Sequence, residues 1–215
     1  MRVSIIGLTL LLGLAATPAF AQKLERGIKL GPTISTIVFD AAVDGDGLFG
    51  PGGDAGYRRK VSIGGGGFVV LPLAGPLGFE IEGLFTPKGG KLPEEFDSTL
   101  IINYLEFPLL GRMTAVRSKS ASFFVFGGPS PAFRIEAKHK IEQRTGPITN
   151  GLVDDVSSGI NRFEVALIAG AGVNVGRYAV IDARYSWGLS DINHGPDPTV
   201  VVRNRAFTVL AGVRF

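Results

Sequence analysis

The chain of 215 residues contains no cysteine, two histidines and one tryptophan, and after its first apolar run it has no second one of comparable length. Each shortage excludes something. Without cysteine an exported domain has no disulfide to staple it and no site for a lipoprotein anchor, so burial or lipid must hold it together. With His139 and His194 as the only histidines, serine or acyl-transfer chemistry has few bases to use, and no Gly-x-Ser-x-Gly elbow occurs. The chain is therefore expected not to be an enzyme and to have no catalytic residue, cofactor or metal. No later segment reaches the roughly 20 apolar residues of a transmembrane helix. Lys and Arg number 22 against 19 Asp and Glu, a formal net charge of +3 with the signs interspersed. That balance is too mild to imply a nucleic-acid partner.

What is present begins with Arg2, an apolar run over 5–16, a breaker at Pro18 and the small-residue pattern Ala19-Phe20-Ala21. This arrangement predicts a secretory signal peptide over 1–21, leaving 22–215 as one exported domain. The 31 glycines are about twice the usual share, and the 15 phenylalanines are numerous as well. Glycine and aromatics in short alternating runs point to sheet with close backbone approaches and interfacial rings.

Eight alternating segments are expected as strands: 26–38, 61–72, 78–87, 99–113, 122–135, 161–175, 179–189 and 205–215. The connections alternate in length. Those at 74–76, 115–121 and 176–177 are tight, whereas 39–60, 88–98, 136–160 and 190–204 are long, polar and rich in Gly, Pro and Asp. Short periplasmic turns and longer outer loops are the pattern of an up-and-down membrane barrel, and an even strand count returns both termini to the short-turn side.

Charge parity within the strands agrees with this. Phe79, Ile81 and Phe85 share one face while Glu80 and Glu82 take the other; Ile181, Ala183, Tyr185, Trp187 and Leu189 oppose Asp182, Arg184 and Ser186. Phe163, Val165, Leu167, Ala169 and Val173 oppose Glu164 and Asn174, and Leu105, Phe107 and Leu109 oppose Glu106 and Arg112. A soluble lipocalin-like barrel would turn the apolar set inward around a ligand; a membrane barrel inverts it. Strands of about ten residues match a tilted crossing, and aromatics near the strand limits suit interfacial girdles.

The expectation is thus an all-β, eight-stranded antiparallel up-and-down transmembrane β-barrel in the cell outer membrane. Its lumen would collect Lys29, Glu80, Glu82, Glu106, Arg112, Arg134, Glu164, Asp182, Arg184 and Arg214. Acids and bases nearly balance in this set, and an eight-stranded barrel is just wide enough for side chains to fill. A packed, paired lumen does not conduct. Two other readings stay open: a narrow porin for small solutes, and a soluble periplasmic ligand-binding barrel.

Three local features complete the reading. Pro32 removes one ladder donor from the first strand and is expected at a bulge or open rung. The run Gly64-Gly65-Gly66-Gly67 lets the sheet bend or admits large lumen side chains from neighbouring strands. The last strand alternates to the final residue with Phe207, Val209, Ala211, Val213 and Phe215 on one apolar face, and it resembles the C-terminal insertion signal of bacterial outer-membrane barrels.

The segments Leu84-Phe85-Thr86-Pro87-Lys88-Gly89-Gly90, Tyr104-Leu105-Glu106-Phe107-Pro108-Leu109-Leu110, Asp182-Ala183-Arg184-Tyr185 followed by Gly188-Leu189-Ser190-Asp191-Ile192, and the closing Gly212-Val213-Arg214-Phe215 resemble the PorT-like family of porin-family outer-membrane β-barrel domains, common in Bacteroidetes. The resemblance covers essentially the whole exported chain. It implies an eight-stranded outer-membrane barrel with no catalytic residues to carry over.

Expected partners are outer-membrane lipid and, during assembly, the secretion channel, periplasmic chaperones and the outer-membrane insertase. Long loops on a rigid scaffold are where recognition resides. Two readings of the outer-loop residues Tyr57, Arg58, Arg59, Lys60, Lys138, His139 and Lys140 stay open: a surface ligand such as the phosphates of lipopolysaccharide, or ordinary solvated loop charge. Asp44-Gly45-Asp46-Gly47 resembles the opening of a calcium loop but lacks the later bidentate Glu.

Overall fold

The computed structural model describes residues 24–41, 58–91, 98–145, 148–194 and 200–215. The expected signal peptide, its cleavage site, Tyr57 and the segment 44–47 lie outside the described residues. The described residues form ten strands: β1 Glu25–Ala41, β2 Lys60–Pro72, β3 Leu77–Lys91, β4 Ser98–Glu106, β5 Leu109–Arg117, β6 Ala121–Thr145, β7 Ile148–Asp155, β8 Phe163–Val175, β9 Ala179–Gly188 and β10 Val200–Arg214. Every pairing is antiparallel. The sheet runs β2-β1-β10-β9-β8-β6 and on through β4 and β5 to β3, and β3 pairs back with β2. The ring is closed, as it must be in hydrocarbon, where an open edge would strand unpaired N–H and C=O groups.

Ten strands make eight staves. β4 and β5 each pair with both β3 and β6, so together they form one stave interrupted at Phe107-Pro108. The cause is local: Pro108 has no N–H to give to a ladder. Backbone bonding continues across the break, since Glu82 N–H donates to Pro108 O at 3.1 Å and Phe107 N–H to Pro131 O at 2.8 Å. Among the described residues β7 pairs with β6 alone, and it stands outside the ring. The segment 136–160, expected as a loop, is thus mostly a hairpin built from the outer part of β6 and β7. At about 3.3 Å per residue the 25 residues of β6 reach roughly 80 Å, far beyond one tilted crossing.

Pro32 sits on an open rung rather than a bulge. The β1–β10 register passes from Leu30↔Ala211 to Thr33↔Thr208 with two residues on each side and no pairing between them. On the β2 side Pro32 stays in register with Ile63.

The side-chain pattern is inverted relative to a soluble protein. Ile28, Ile63, Ile81, Phe85, Val125, Phe133, Leu167, Ile181, Phe207 and Val213 are exposed on the outer wall, while Lys29, Glu80, Glu82, Lys88, Glu106, Arg112, Glu164, Asp182 and Arg184 are buried within it. Soluble proteins rarely expose an apolar surface of that extent. A closed barrel in lipid requires it.

Candidate functional site: a layered, cross-braced lumen

The interior holds two layers of paired charge. The layer nearer the short turns contains three cations, Lys29, Arg112 and Arg184, and three anions, Glu80, Glu82 and Asp182. Lys29 Nζ lies 3.0 Å from both Glu80 and Asp182 and also pairs with Glu82. Arg184 Nε donates to Asp182 at 2.9 Å, and its two terminal nitrogens grip the Glu82 carboxylate in a fork. β3 and β9 are four staves apart in either direction around the ring. The Arg184–Glu82 fork therefore spans the full diameter.

Beneath these charges lies an apolar shelf that parity alone did not reveal. Phe68, Phe124 and Phe126 point inward and join Val70, Leu110, Ile168 and Val180 in one buried cluster. Each ring faces a glycine across the ladder: Phe68↔Gly27, Phe124↔Gly172 and Phe126↔Gly170. A Cβ at Gly172 would stand 2.4 Å from the Phe124 ring, and one at Gly170 would stand 2.6 Å from Phe126. The missing side chains are the space into which the rings fold. The cations lie on the rings in turn, Arg112 at 3.5 Å from the Phe124 centroid, Lys29 at 4.9 Å from Phe68 and Arg184 at 5.0 Å from Phe126. Ring quadrupoles attract desolvated cations, so shelf and charges stabilise one another.

The outer layer centres on Lys88, a residue expected in a loop. β3 continues to Lys91, which carries Lys88 inside. Its Nζ lies 3.1 Å from Glu106 and 3.4 Å from Glu164. Ser130 Oγ donates to Glu106 at 3.0 Å. Asn204 Nδ2 donates to Glu164 at 2.9 Å and to Tyr104 Oη at 3.2 Å, a second contact between opposite staves. Lys88, Tyr104 and Asn204 escaped sequence reading because two of them fall in segments that read as loop or loop edge. The signal for Lys88 was present: it continues the inward parity of Glu80, Glu82, Leu84 and Thr86.

Two of the ten charged residues assigned to the interior stand apart from both layers. Arg134 lies opposite Tyr104 in register near the outer mouth, with its Nε buried and unpartnered. Arg214 sits at the short-turn rim, where it donates to Glu25 at 2.8 Å and to Gly176 O at 3.1 Å. Phe207, Val209, Ala211 and Val213 line the outer face of β10, and the Phe215 backbone closes against Arg26.

Three open spaces among the described residues bear on the lumen and its two ends. Between the layers is a gap of about 20 Å³ walled by Thr33, Thr86, Lys88 and Arg184, room for about one water molecule. A vestibule of about 500 Å³ opens at the short-turn end, and a groove of about 460 Å³ lies at the outer mouth beside Arg134, Arg162 and His194. Of the outer basic residues, Lys60 is turned inward and donates to Lys88 O at 3.2 Å. His139 belongs to β6 and pairs with Ser98 rather than standing in a loop. Lys138 pairs with Glu136 at 2.7 Å on the exposed hairpin.

The family model of the outer membrane protein β-barrel domain matches residues 20–193. The chain belongs to that family. Outer-membrane localisation follows from this membership and from the apolar wall of the closed barrel. Among solved structures, the barrel is similar to the attachment invasion locus protein Ail of Yersinia pestis, at 15% identity over 89% of this chain and 98% of that one with a TM-score of 0.45. It is also similar to OprG of Pseudomonas aeruginosa, at 13% identity over 89% and 95% with a TM-score of 0.48. Neisserial surface protein A is a third, at 8% identity over 89% and 95% with a TM-score of 0.43. A search of the curated proteins found no match.

Proposed function

We propose that the barrel is a non-conducting, non-enzymatic outer-membrane scaffold whose work is done at its surface, with the paired charged residues of its two interior layers acting as a structural network. The observation that carries this reading is the bracing of the lumen across its diameter at two levels, by Arg184–Glu82 and by Asn204–Tyr104. Ions crossing would have to break a buried charge fork and leave a carboxylate uncompensated, at a cost of about 3–5 kcal/mol. The β6–β7 hairpin, built on a rigid stave and projecting past the apolar wall, is the element suited to meet a partner. The sequence segments around Leu84, Tyr104 and Asp182 support placement in the PorT-like branch, and the apolar face ending in Phe215 supports delivery by the outer-membrane insertase after export with periplasmic chaperones.

Planar-bilayer recording of the refolded protein tests the closed lumen. Silence, or rare brief events only, is expected. Steady nanosiemens channels would show the lumen open and replace this reading with a narrow porin.

A further inference from the structure

The vestibule at the short-turn end is a cup closed at its inner end, and its chemistry is uneven. Four cations line it, Arg112, Arg117, Lys119 and Arg214, against one acid, Glu25. Arg214 is engaged by Glu25 and by Gly176 O. Arg112, at 6% exposure, is held at the deep end between the Glu80 carboxylate at 2.9 Å and the Phe124 ring. Arg117, the last residue of β5, and Lys119, on the turn that follows it, are exposed and border the opening.

Asn174 in the wall supplies an independent observation. It is 5% exposed, its Nδ2 donates to Ser122 Oγ at 3.0 Å, and its Oδ1 has no partner. A buried amide atom left unpaired costs free energy until something meets it. Turning the amide over exchanges the two atoms and leaves one of them unmet all the same.

We propose that this cup binds a short acidic peptide from the periplasmic side. A carboxylate answers the guanidinium and ammonium groups with charge-assisted bonds. A peptide amide, which both donates and accepts, completes Asn174 in either orientation. A phosphate monoester fits less well, because near pH 7 it is largely a dianion and offers only acceptors. The volume of the cup falls in the range of small-ligand pockets. Binding there needs no passage through the lumen, so it stands whether or not the barrel conducts.

The test uses the full exported chain folded in detergent micelles, with heat-modifiable gel mobility confirming closure of each variant. Titration calorimetry is run with N-acetyl-alanyl-glutamate, with its neutral counterpart N-acetyl-alanyl-glutamine amide, and with inorganic phosphate. The acidic peptide is expected to bind at least about tenfold more tightly than either control, the worth of one charge-assisted bond. Arg117→Ala with Lys119→Ala, both exposed at the rim, should weaken it about tenfold again. Asn174→Ala should weaken the acidic and neutral peptides by the same factor. Equal binding of the neutral peptide, phosphate binding as tight as the acidic peptide, or indifference to the rim variants would each overturn the proposal.

Discussion

Lys88 Nζ on β3 lies 3.1 Å from Glu106 Oε1 on β4, at the centre of the outer charge layer and at 1% exposure. Both side chains are withdrawn from bulk solvent, so each charge depends on its partners. Lys88→Met should strand Glu106 and Glu164 in the lumen and destabilise the barrel by about 3–5 kcal/mol. Adding Glu106→Gln and Glu164→Gln should recover most of the loss. Guanidinium unfolding in lipid vesicles checks both, and an unchanged midpoint for Lys88→Met would mean the pair contributes nothing.

The facing of the wall makes a second prediction. Leu167 is 44% exposed on the outer surface, whereas Ser186, on the neighbouring strand, points inward. Leu167→Arg places a charge in hydrocarbon and should cost about 2–4 kcal/mol if the site lies near the midplane. Phe107→Arg, where Phe107 meets Phe133 edge to face and Phe133 packs against Phe163, should also impair insertion. Ser186→Arg should disturb lumen packing without that lipid penalty. Folding yields into vesicles of different acyl-chain length separate the cases: the outward variants should worsen as the bilayer thickens, and the inward one should not.

The fit of ring to glycine predicts a coupling. Gly172→Ala drives a methyl group against Phe124 and, through that ring, disturbs the stacked Arg112. Overpacking of this kind costs about 1–3 kcal/mol. The double variant Gly172→Ala with Phe124→Leu should be less damaged than the sum of the two singles. Strict additivity in unfolding free energies would show that ring and glycine do not share the space.

The terminal residue supplies the fourth prediction. Phe215 closes β10 against β1, with Arg26 over its ring at 5.5 Å. Deleting Phe215 should lower the amount of barrel in outer-membrane fractions several-fold while the protein refolded in vitro retains most of its stability. Unchanged cellular levels would show that the last residue is not read during assembly.

Alternation of side chains was enough to read the strands, their facing and the inward positions of Glu80, Glu82, Asp182 and Arg184, because strand period is a property of the backbone and needs no partner. The break at Pro108 was legible in principle, since proline lacks a donor wherever it stands. It was missed because flanking alternation on both sides disguised it. The β6–β7 hairpin was hidden for the opposite reason: its sequence is mostly polar and carries no sustained apolar alternation to mark a strand.

By itself the sequence determined a closed membrane-spanning sheet, since an apolar outer face and a charged inner one leave backbone groups no other way to be satisfied in lipid. Which charges meet was decided only by the tertiary structure. Arg184 reaches Glu82 from 102 positions away, and Lys88 enters the lumen because β3 runs longer than its apolar pattern. Such pairings depend on which staves stand opposite one another and on where glycines leave room for rings. Ring closure and register set that geometry, and no local pattern encodes it.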